Sequence, residues 1–119
     1  MKKSFLFIIQ RSPHHSLHVQ ELLDQLLIAA AFEQTVRVLL LDDGVFLFKK
    51  EQQPALISAK AVAPIIDSLA LFDVNEIYIE QESLVERGLT AAELLHPVIE
   101  LPREGVGDLI GRHQVVVSV

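Results

Sequence analysis

Val36-Arg37-Val38-Leu39-Leu40-Leu41 is an apolar run with a single charge, and it halts at Asp42-Asp43-Gly44. The run is too short for a helix, rich in branched side chains and free of alternation, which is the pattern of a strand covered on both faces. Its stop admits two folds. Asp-Gly between apolar runs is a strong hairpin signal, with Val45-Phe46-Leu47-Phe48 as the returning strand. Alternatively, Leu41 ends a parallel strand and Asp42-Asp43-Gly44 forms a loop at its carboxyl edge, where α/β proteins place their sites.

The flanking sequence weighs on that choice. Ser4 to Gln10 is a continuous apolar strand, and Arg11-Ser12-Pro13-His14-His15-Ser16 reads as a loop in which Ser16 can cap a helix. Leu17 to Phe32 then carries apolar residues at 19, 22, 23, 26, 27 and 30, the stripe of an amphipathic helix laid on a sheet. Ala29-Ala30-Ala31 gives this helix a smooth end suited to close packing against a strand or a neighbouring subunit. Strand, helix and strand in this order make a right-handed crossover with parallel strands.

Beyond the run, Lys49 to Pro54 is polar and reads as a loop, and Ala59 to Phe72 as a helix that Pro64 either starts or kinks. Glu76 to Glu80 is a third strand. Ser83-Leu84-Val85-Glu86 has the spacing of a capping box, and Arg87-Gly88 supplies a glycine stop. Thr90 to Leu95 is a short helical turn, Val98 to Leu101 an extended piece, Arg103 to Arg112 a weak helix, and Val115 to Val119 a buried closing strand. The alternation predicts one domain over residues 1–119, a three-layer α/β/α sandwich with a mostly parallel sheet of about five strands. In that order an isolated hairpin at Asp43-Gly44 would be out of place.

Composition narrows the function classes. The chain has no cysteine. It therefore holds no disulfide, thiolate metal site, cysteine nucleophile or persulfide carrier of its own. Met1-Lys2-Lys3 before Phe5-Leu6-Phe7-Ile8-Ile9 imitates a signal peptide, but Gln10-Arg11 follows where a small-residue cleavage site belongs. No apolar run approaches the ~18 residues that span a bilayer, so the expected setting is the cytoplasm, away from membranes. The net charge of −6 comes without any block of lysine or arginine, which argues against a direct grip on nucleic acid. Half of the residues are hydrophobic and the mean hydropathy is +0.38, more apolar surface than so small a domain hides easily, so a subunit interface is expected.

The residues that could carry chemistry gather at strand exits. His14, in the loop after the first strand, could act as a general base with Asp42 or Asp43 in a carboxyl-edge pocket, because histidine titrates near neutrality. His15 and His18 have the spacing of a shared metal pair, with Asp42 or Asp43 as the third ligand on offer across the sheet edge. Histidines in a loop before a helix are more often solvated or capping, however, so no metal and no cofactor is expected. Glu80 and Glu82 flank the exit of the third strand as surface acids, and Ser83 is accounted for by capping. There is no phosphate-binding glycine loop, no nucleophile elbow and no triad. Read from the residues, the alternatives are a stand-alone small enzyme using His14 with Asp42 or Asp43, or a homo-oligomeric binding module.

The Pro13-His14 loop, the Glu21-Leu22-Leu23-Asp24-Gln25-Leu26-Leu27 helix, Asp43-Gly44-Val45-Phe46, Leu71-Phe72-Asp73 and Ser83-Leu84-Val85-Glu86-Arg87-Gly88-Leu89 occur in an order that resembles the DsrE/DsrF-like sulfur-relay family, and within it the TusC (DsrF) branch. The similarity runs over essentially the whole chain. It implies a cytoplasmic heterohexamer, a dimer of heterotrimers with TusB- and TusD-like subunits. That complex passes persulfide sulfur from TusA towards TusE for 2-thiolation of the tRNA wobble uridine. In the sulfur-carrying relative a cysteine stands at the exit of the third strand, a place that falls near Glu80 here. A carboxylate cannot carry sulfane sulfur, so the resemblance implies a non-catalytic subunit that shapes the complex. It also makes Gly44-Val45-Phe46 a loop or helical start, with Val45, Phe46 and Phe48 as candidates for a partner interface.

Overall fold

A computed structural model describes residues 2–11, 17–49, 67–94 and 97–119. Among these, five strands form one sheet: β1 (Ser4–Ile9), β2 (Thr35–Leu40), β3 (Ile77–Glu80), β4 (Ile99–Leu101) and β5 (Val115–Ser118), in the order β4-β3-β2-β1-β5. Every pairing is parallel. The connections step β1 to β2 to β3 to β4 in one direction, and the chain then crosses back to place β5 outside β1.

The register decides what each face offers. Phe5 aligns with Val36, Phe7 with Val38 and Ile9 with Leu40, so one face presents Phe7, Ile9, Val36, Val38, Leu40, Ile77 and Ile79. Helix α1 (Leu17–Ala31) lays Val19, Leu22, Leu23, Leu26 and Ala30 on that face, the stripe the spacing predicts. The opposite face presents Leu6, Ile8 and Leu39, covered by Leu109 from a later helix at Val106–Gly111. Helices on both faces make the three layers, and they explain the unbroken apolar run of β2, whose Val38, Leu39 and Leu40 are all enclosed.

No hairpin forms at Asp43-Gly44. Both edges of β2 are taken, by β1 on one side and β3 on the other, so a returning strand has nowhere to pair. The chain instead turns through a 3-10 segment, Asp42–Phe46, with the Leu41 N–H donating to the Ile9 carbonyl at 3.0 Å and the Gly44 N–H to the Leu41 carbonyl at 2.8 Å. Gly44 presses so closely on the end of β1 that any side chain there would collide with the Ile9 carbonyl.

Three expectations need correction. Helix α2 (Gln81–Glu86) starts straight off β3 with Glu80 at its N-cap, so Ser83 lies inside the first turn and caps nothing. The capping box that does form is Thr90 with Glu93, whose carboxylate accepts from the Thr90 N–H at 3.1 Å at the head of a 3-10 turn, Ala91–Glu93. The closing strand β5 is an edge strand of alternating exposure, not a buried one, because no strand lies beyond it. Gly88 does end α2, at φ 67°, the left-handed conformation glycine adopts without strain. The weak helix at the C-terminal end resolves into a 3-10 turn, Arg103–Gly105, followed by α3 (Val106–Gly111). Residues 67–71 are helical, whereas Pro64, the rest of that expected helix and the polar loop after Lys49 lie outside the described residues. Among the described residues no helix is long and apolar enough to cross a membrane.

Candidate functional site

The carboxyl ends of β2 and β3 bring four of the predicted residues together. Asp42 and Asp43 open the 3-10 turn after β2, while Glu80 ends β3 and Ser83 sits one turn into α2. Glu80 and Ser83 are both buried, and Ser83 is fully enclosed. Its hydroxyl does two jobs. It accepts the Asp42 N–H at 2.9 Å and donates to Glu80 Oε1 at 2.6 Å. The hydroxyl thereby ties the β2 exit to the β3 exit and holds Asp42 at φ 49°, a left-handed conformation unusual for a side-chain-bearing residue.

Two arginines complete the cluster, and neither stood out in the sequence as a site residue. Arg103 reaches over from the turn after β4. Its Nη2 donates to Glu80 Oε1 at 3.0 Å and to Glu86 Oε1 at 3.2 Å, and its backbone N–H donates to Glu82 Oε1 at 2.9 Å. Arg87 works on the other side of α2, with Nε donating to Asp43 Oδ1 at 3.0 Å and Nη1 to the Ser83 carbonyl at 3.3 Å. The β3–β4 register pairs Glu80 with Leu101, which brings Arg103 to the same edge two residues later. That register exists only in the folded sheet.

The electrostatics follow from this packing. Burial pushes the Glu80 carboxyl up, but hydrogen bonds from Arg103 and Ser83, with the Arg103 and Arg87 charges, outweigh it and leave its pKa below the usual carboxylate value. The hydrogen bond to Glu80 correspondingly raises the Arg103 pKa. Glu80 is thus ionised at neutral pH, with Oε1 already accepting two donors. A carboxylate in this state has no proton to give, and the enclosed Ser83 hydroxyl has no path to a substrate. The cluster is a clamp that joins the turn after β2, helix α2 and the turn after β4.

The remaining candidates fall elsewhere. His14 and His15 lie outside the described residues, and His18 stands in the first turn of α1 with Nδ1 3.8 Å from Glu21 Oε2. Among the described residues no group of three histidine, aspartate or glutamate side chains is placed to hold a metal ion. Of the three interface candidates, Val45 and Phe48 are wholly enclosed in the chain's own core and expose nothing to a partner. Phe46 is half-buried and packs against that core, the only one of the three with surface to offer.

Comparison with known proteins gives a consistent picture. The family model described as "DsrE/DsrF-like family" matches residues 3–114. The chain is 36% identical over 98 residues to the intracellular sulfur oxidation protein DsrF of Allochromatium vinosum, covering 82% of this chain and 72% of that one. It is 34% identical over 119 residues to a TusC homologue of Pseudomonas aeruginosa, covering the whole of both. The crystal structure of ychN from E. coli superposes with a TM-score of 0.82 over the whole of both chains at 15% identity, a likeness of fold.

Proposed function

The chain belongs to the DsrE/DsrF-like family, and on that premise we propose that it serves as a non-catalytic subunit of a cytoplasmic TusBCD-type sulfur relay. The relatives named for sulfur oxidation and as TusC homologues support a sulfur-relay subunit in general. The finer reading is that TusB- and TusD-like subunits complete a dimer of heterotrimers. The complex takes persulfide sulfur from TusA and hands it to TusE for 2-thiolation of the tRNA wobble uridine, and this subunit does not touch the tRNA itself.

One observation carries the non-catalytic role. In a chain without cysteine, the β3 exit holds Glu80, a buried carboxylate engaged by Ser83 and Arg103. Sulfane sulfur needs a thiolate to receive it, and this position offers instead a carboxylate whose Oε1 already accepts from Ser83 and Arg103. The clamp around it stiffens the carboxyl edge, as a subunit that shapes a neighbour's site requires.

Co-expression with TusB- and TusD-like chains, followed by size exclusion and native mass measurement, tests the reading. A stable complex containing all three chains is expected. A chain that stays apart from both would overturn it.

A further inference from the structure

The apolar run of β2 carries one charge, Arg37, for which neither the core nor the carboxyl-edge clamp has a use. Arg37 lies on the sheet face that α3 covers, two residues before Leu39 and in register with Leu6. An apolar side chain there would stabilise the fold about as well, because a partly buried ion pair loses much of its Coulomb gain to desolvation. Stability alone does not ask for an arginine.

The groups around it fix its orientation. Arg37 Nε is bonded to a carboxylate oxygen of Glu76, just before β3, and Nη1 donates to His113 Nε2 at 3.3 Å. His113 Nδ1 in turn donates to the Leu109 carbonyl at 2.8 Å, so a single ring tautomer, protonated on Nδ1, serves both contacts. The entry to β3 and the end of α3 thus hold one guanidinium between them.

The same groups line a cavity of about 270 Å³, together with Tyr78 and Arg112. Pockets for drug-sized ligands run from roughly 300 to 1,000 Å³, so the occupant here is small. What stays unpaired sets its chemistry. Arg37 has Nη2 to spare, and Arg112 engages Asp108 Oδ2 through Nε at 3.4 Å, leaving its Nη groups free among the described residues. The Tyr78 hydroxyl likewise has no partner among the described residues. Against these donors the wall sets one carboxylate, Glu76, beside two guanidinium groups. Convergent donors with a surplus of positive charge suit an anion with several oxygens. Guanidinium forks match phosphate geometry, and a phenolic hydroxyl adds a third point of attachment.

We propose that Arg37, Tyr78 and Arg112 form a binding site for a small phosphate, free or as the ester of a small molecule, with Glu76 and His113 as the positioning residues of Arg37. The site uses none of the clamp residues, so it stands or falls separately from the relay reading.

Titration of inorganic phosphate into the purified full chain, at constant ionic strength and followed by amide NMR, tests it. Saturable shifts at residues 37, 78 and 109–113 are expected, with a Kd on the order of 1 mM. Arg112→Gln should weaken binding about tenfold, as loss of a charge-assisted hydrogen bond does, and Tyr78→Phe by a smaller factor of about three or more. Glu76→Gln keeps an acceptor for Arg37 Nε but removes the opposing charge, so it should tighten binding about threefold. Arg112 is exposed and Tyr78→Phe removes only an unpartnered oxygen, so Tm should hold in both; the phenylalanine variant decides if Arg112→Gln loses stability. Phenyl phosphate in a parallel titration separates the sources: tighter binding than inorganic phosphate assigns an ester, weaker binding the free ion. No saturation up to about 20 mM phosphate overturns the proposal. So do shifts scattered over other basic residues, acetate binding as tightly as phosphate, or affinities that none of the three substitutions moves.

Discussion

Ser83 is the residue on which the carboxyl edge turns. Its hydroxyl links the Asp42 N–H to Glu80, so Ser83→Ala leaves a backbone donor without its acceptor and removes one of the two donors on Glu80 Oε1. Destabilisation of about 1–3 kcal/mol is expected, measured by urea unfolding. Glu80 makes the same edge sensitive to acid. Its folded pKa is depressed, so its stabilising contribution is complete above the unfolded value near 4.5 and is lost as pH falls through the lower folded value. The stability difference between wild type and Glu80→Gln should therefore be constant from neutral pH down to about pH 5.5 and shrink below pH 4.5. A difference that grows on acidification would contradict the assignment. Gly44 obeys a different rule, pure sterics: in Gly44→Ala the new methyl group meets the Ile9 carbonyl, and a loss at or beyond the upper end of about 1–3 kcal/mol is expected in thermal unfolding.

At the scale of elements, the turn after β2 is fixed by what surrounds it. With β1 and β3 on either side of β2, residues 42–46 have only the edge of the sheet to settle on, and Val45 and Phe48 become core there. Docking through this element rests on Phe46, half in and half out. Phe46→Asp should cost about 1–2 kcal/mol of stability from its partial burial while leaving unfolding cooperative, and should weaken capture of the TusB- and TusD-like partners in a pull-down. Loss of folding without any assembly phenotype would confine Phe46 to the core. Helix α2 is held on both flanks, by Arg103 on one and by Arg87 and Ser83 on the other. It therefore works as a fixed post rather than a lid.

For the whole molecule, the two ends of the sheet have different characters. The carboxyl edge is knitted by charge and faces the exits of β2 and β3, whereas the amino edge is apolar. Among the described residues the apolar excess that composition announces surfaces at Ile28, Phe32, Leu71 and Phe72, whereas Val45 and Phe48 are enclosed in the core. The sequence by itself determined the alternation of strands and helices, the apolar stripe of α1, the glycine stop at Gly88 and the lack of a thiol, because these rest on local periodicity and residue chemistry that hold before any long-range contact forms. The tertiary structure bore out the parallel exit at Asp43-Gly44 that the alternation already favoured, and supplied the reason, since a hairpin finds no free edge on β2. It also decided that Ser83 bridges and does not cap, and that Glu80 is buried under Arg103, 23 residues away. Strand register brings those groups together, and register is a property of the folded sheet that no local window of sequence contains.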